Sequence, residues 1–126
     1  MFARLLPVII LTAIAMAYVV YVEGPDLLAA LNVVPMLIVI VLATVTLGRG
    51  RGKWSGAGWK WPLGTLGFAI PALGLSLYLH HAWSVDLDGL ASEARDPRNL
   101  FRYLPIYIVF AGGIGFAIGW IVGRNV

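Results

Sequence analysis

The chain has no cysteine, which excludes disulfides, thiolate metal sites and cysteine nucleophiles. Charge is almost as scarce. Asp, Glu, Lys and Arg make up 12% of 126 residues, against about 25% in soluble domains. Histidine occurs only as the adjacent pair His80 and His81, and neighbours about 100° apart on a helix do not chelate one ion together. No Asp, Glu, Lys or Arg lies within residues 5–22, 27–47, 63–83 or 103–123. Proton-coupled pumps and exchangers depend on an ionisable group inside the membrane, so that class has nothing to work with. A nucleophile–base pair, a metal cluster and paired carboxylates near a pocket are also missing. The sequence therefore predicts no catalytic, cofactor-binding or metal-ligating residue, and no enzyme.

Apolar residues, by contrast, reach 60%, with a mean hydropathy of +0.89. A soluble fold of this size cannot bury that much apolar surface, but a bilayer can. Each of the four uncharged runs is close to the roughly 20 residues that cross a hydrocarbon core of about 30 Å. Backbone groups in lipid must bond within their own segment, so each run is expected to be a helix. The expected fold is all-α: residues 1–126 form a single domain of four transmembrane helices. The N-terminal run has small-residue patterns suited to signal cleavage. It continues through "YVVYV" at 18–22, however, and reads as a retained span.

The loops sort by sign. Loop one carries Glu23 and Asp26 and no base; loop two carries Arg49, Arg51, Lys53 and Lys60 and no acid. Loop three, 84–102, mixes Asp86, Asp88, Glu93 and Asp96 with Arg95, Arg98 and Arg102. The positive-inside rule then places both termini and loop two in the cytoplasm. Loop three becomes a short amphipathic segment on the extracytoplasmic surface. Short loops and minimal tails suggest a multi-pass protein of a bacterial inner membrane.

Loop two also holds Trp54, Trp59 and Trp61. Tryptophan settles at headgroup level, and bases near an anionic leaflet gain about 1 kcal/mol each. Arg49, Arg51, Lys53, Trp54, Trp59, Lys60 and Trp61 are therefore expected to contact lipid headgroups. The stretch "GRGRGK" lacks the glycine spacing and the Ser or Thr of a phosphate loop, and nucleic acid is not an expected partner.

The most patterned feature is in the last span. Ala111, Gly115, Gly119 and Gly123 recur every fourth residue, with Gly112 beside them. Positions four apart share a helix face, and small residues at that spacing let two backbones approach closely in lipid. Gly64, Gly67, Pro71 and Gly74 form a comparable series in the third span. The stripe's partner is open at this point: the third span, another copy or another protein. Every span carries one proline, Pro7, Pro35, Pro71 or Pro105; the deeper Pro35 and Pro71 are expected to kink their helices. These features suggest an accessory or scaffold subunit of a larger membrane complex, docking through glycine-rich helix faces. The alternative is a homo-oligomeric channel or uncoupled carrier for ions or small solutes.

Overall fold

A computed structural model describes residues 2–23, 27–85 and 99–125. Among them there is no strand, and four helices are long and apolar enough to cross a membrane. Helix one is Phe2–Glu23, helix two Leu27–Arg49, helix three Lys60–Ser84 and helix four Asn99–Arg124. Each outruns its uncharged stretch. Helix four has 26 residues, about 39 Å at a rise of 1.5 Å per residue, so its charged ends reach past a hydrocarbon core of about 30 Å. The amphipathic segment expected at 84–102 falls largely on 86–98, outside the described residues.

Helix two is the central element. Its Val39 joins Phe68 and Ala72 of helix three and Leu104 and Ile108 of helix four in one buried cluster. Its Ala43 and Leu47 enclose Leu5 of helix one, and Met36 packs with Ala15 and Val19. Helices three and four share the most extensive contact of the bundle. Helix one lies against helix two along its length but meets helix three chiefly over Ser76–Ser84. The other half of helix three stands apart from helix one.

That divergence coincides with a break in helix three. Ile70–Leu75 is a π turn containing Pro71 and Gly74. Proline supplies no N–H and its ring crowds the carbonyl four residues back, here that of Gly67. Widening the turn relieves the crowding, which is the usual setting for a π bulge. The wider turn also rotates later residues off the α-helical register. Gly74 consequently leaves the face that holds Gly64 and Gly67: it is exposed, with open space where a Cβ would stand. Helices one, two and four contain Pro7, Pro35 and Pro105 without such a break.

Candidate packing and membrane-surface sites

The glycine stripe of helix four lies against helix three of the same chain. A Cβ on Gly115 would overlap the carbonyl oxygen of Gly67, and one on Gly67 would overlap the carbonyl of Gly115. Gly119 abuts the Leu63 carbonyl in the same way, and Gly123 the Trp59 carbonyl. Where a side chain would collide, each glycine presents a hydrogen to an oxygen. These are Cα–H···O contacts of the kind found at close helix–helix crossings. Pro71 removes the α-helical donor to the Gly67 carbonyl, the same oxygen that receives Gly115. Ala111, at the outer end of the stripe, is half-buried.

Two aromatic rings seat in the remaining glycine gaps, one from each helix. The Phe68 ring comes within 2.7 Å of where a Cβ on Gly112 would sit. The Phe116 ring comes within 2.9 Å of the same position on Gly64. Side-chain knobs thus fill glycine holes in both directions across the interface. Of the eight glycine and alanine positions expected to pack, the structure sets Gly64, Gly67, Gly112, Gly115, Gly119 and Gly123 directly on the facing helix.

At the loop-two end, part of the expected headgroup set also meets aromatic rings of the same chain. Trp61 meets Phe116 edge-on at 5.9 Å and Trp120 at 5.3 Å between ring centroids, and Phe116 and Trp120 lie 5.7 Å apart. Arg49 stands over the Trp61 ring at 5.0 Å and Lys60 over Trp120 at 5.5 Å. Cation–π pairs of this type contribute about 0.5–1 kcal/mol when exposed. Lys60 and Trp61 therefore clamp helices three and four together, and Arg49 ties the end of helix two to helix three. Trp54 is half-buried against Leu5, Ala43 and Leu47, whereas Trp59, Arg51 and Lys53 are exposed. Trp120 and Phe116 were not singled out in the sequence, although their spacing of four places both on one helix face.

Loop two folds on itself. The N–H groups of Gly50, Arg51, Gly52, Lys53, Gly56 and Gly58 all donate to carbonyls between Thr46 and Ser55. Gly52 has a φ of 87°, a conformation open to glycine at little cost. A Cβ on Gly56 would overlap the Gly50 carbonyl, so the loop closes only with glycine there. These six amides are taken up by carbonyls of the same segment. Arg4 of helix one donates to the Gly52 carbonyl at 3.0 Å, which places the N-terminal end of the bundle beside loop two.

Most polar side chains within the helices turn inward, and several bind the backbone of the preceding turn. Thr12, Asn32, Thr46, Thr65, Ser76 and His80 are all buried. Thr12 donates to the carbonyls of Val8 and Ile9, and Thr44 to that of Ile40. Thr46 donates its single proton to Leu42, so in its 2.9 Å contact with Thr65 the Thr65 hydroxyl is the donor. This bond links helices two and three. Thr65→Val is expected to cost about 0.6 kcal/mol, the mean for interhelical bonds in membrane proteins, in mixed-micelle denaturation. Thr65→Ser should stay within half of that.

The histidine pair separates. His81 is exposed, with Nδ1 3.5 Å from the Tyr18 hydroxyl. His80 is fully buried, and its Nδ1 donates to the Ser76 carbonyl at 2.7 Å. Among the described residues, no three His, Asp or Glu side chains gather as metal ligands.

No family model matches the chain, and neither a curated protein nor a solved structure shows significant similarity to it.

Proposed function

We propose that this chain is a non-catalytic accessory or scaffold subunit of a larger membrane complex. In this reading it lies in a bacterial inner membrane, with both termini and loop two on the cytoplasmic side. The docking surface differs from the one the sequence suggested. Helix three occupies the stripe from Gly112 to Gly123, so that stripe is not open to a second protein. The observation that carries the proposal is on the opposite side of helix four. Gly113 and Ala117, four residues apart, are both exposed, and a Cβ on Gly113 would meet nothing. Exposed Phe110 and Ile121 stand above and below them, leaving a one-turn notch in an otherwise bulky apolar face. A notch of two small residues suits the close approach of another transmembrane helix.

The channel reading has less support. A path between copies would need a continuous polar lining on outward faces; the hydroxyls of Thr12, Thr46, Thr65 and Ser76 face the bundle interior, and the exposed Tyr78 and Tyr107 stand on faces that are otherwise largely apolar. The test is native gel electrophoresis of mildly solubilised native membranes. The chain should migrate with a different protein, well above its own 13.6 kDa. The double variant Gly113→Leu, Ala117→Leu should release it, while Gly74→Leu should not. Migration of the unmodified chain as a lone bundle, or ion flux through liposomes holding it alone, overturns the proposal.

A further inference from the structure

We infer that the crevice between helices one and three holds one acyl chain of an anionic phospholipid, drawn from the leaflet on which loop two rests. Where helix three stands away from helix one, a partly open cavity of about 370 Å³ remains. That volume is at the lower end of the range of about 300–1,000 Å³ for small-molecule sites. Val8 and Leu11 form one wall and Leu66 the other, Ala43 lies behind, and Trp54 and Trp59 close the loop-two end. Two threonines also line it, but neither offers a hydroxyl proton to a guest. Thr12 donates to its own helix and Thr65 to Thr46. A polar solute would lose its hydration there without replacement, whereas a hydrocarbon chain loses nothing.

The rim identifies the headgroup. Arg4, Val8 and Leu11 follow at intervals of four and three, so Arg4 sits on the crevice-facing side of helix one. Its bond to the Gly52 carbonyl uses one guanidinium nitrogen, ties it to loop two and leaves other guanidinium donors for a phosphate. Lys53 directly precedes Trp54, whose ring lines the cavity, and both Arg4 and Lys53 are exposed. Arg49 and Lys60 are held over tryptophan rings instead. Glu23, the one acid among the described residues, is at the far end of helix one. An apolar slot with two available bases at its mouth matches the division of an anionic phospholipid into tail and phosphate. The inference rests on the transmembrane placement proposed above and is independent of protein docking.

The experiment is native mass spectrometry of the delipidated chain after exposure to vesicles of equal phosphatidylglycerol and phosphatidylcholine. One retained lipid per chain is expected, with phosphatidylglycerol favoured on the order of tenfold by two bases. The variant Arg4→Gln, Lys53→Gln should hold the two lipids equally. Leu11→Trp, at a position 55% exposed, should fill the slot and lower total retention severalfold. Helix content by circular dichroism should be unchanged in both. No retained lipid, no preference in the unmodified chain, or undiminished retention in Leu11→Trp would each overturn the inference. If lipid is retained while native gels show no protein partner, the lipid site stands and the subunit reading falls.

Discussion

Gly115→Ala is expected to destabilise the bundle by more than about 3 kcal/mol, while Gly113→Ala, two residues away, stabilises it by up to about 1 kcal/mol. The chemical change is the same and the helix is the same; only the face differs. The added methyl at Gly115 would stand on the carbonyl oxygen of Gly67. Backbone cannot swing aside as a flexible side chain can, so relief requires the two helices to separate. Separation would also open the contacts of Gly119 with Leu63 and Gly123 with Trp59, which is why the cost exceeds the usual 1–3 kcal/mol or so for overpacking. At Gly113 the methyl meets open space, and alanine's better helix propensity is all that remains. Unfolding in mixed micelles at rising SDS fraction, followed by tryptophan fluorescence, measures both. Equal effects at the two positions would mean that the helices do not touch as described.

The four spans were legible because lipid excludes charge so strongly that uncharged runs of the right length mark themselves. Their ends were less legible. Arg4, Arg49, Lys60 and Arg124 ride on helices that continue beyond the apolar run, since long basic side chains can reach headgroups from a helix terminus. The stripe on helix four was readable as a face, but spacing alone names no partner. Gly74 shows a second limit. A series at three and four residues assumes one helical register, and the π turn at Ile70–Leu75 breaks it. Pro71 was the available signal, although Pro7, Pro35 and Pro105 are taken up without a π turn. Trp61 shows a third. Tryptophan and a base near a membrane end read as lipid anchors, and that pattern does not tell which rings of the same chain, here Phe116 and Trp120, also pack against Trp61. His80 likewise sits near a span end but turns into the bundle, a direction that its position along the chain does not fix.

The second large effect concerns the rings seated on glycine. Gly112→Ala is expected to cost about 1–3 kcal/mol, because the Phe68 ring lies 2.7 Å from the new methyl and is itself only 5% exposed. A buried ring has nowhere to go. Phe68→Leu alone should cost a similar amount, since the hole over Gly112 empties and its walls lose their dispersion contacts. Made together, the two changes compensate: the methyl partly refills the space that the ring vacated. The double variant should therefore be about 1–2 kcal/mol more stable than the two single costs imply, within the range seen for touching residues. Gly64→Ala provides the comparison. Its ring partner, Phe116, is half-buried rather than enclosed and can shift, so the cost should fall below that at Gly112. Strict additivity at Phe68 and Gly112, to within about 0.5 kcal/mol, would show that ring and glycine do not share the space assigned to them.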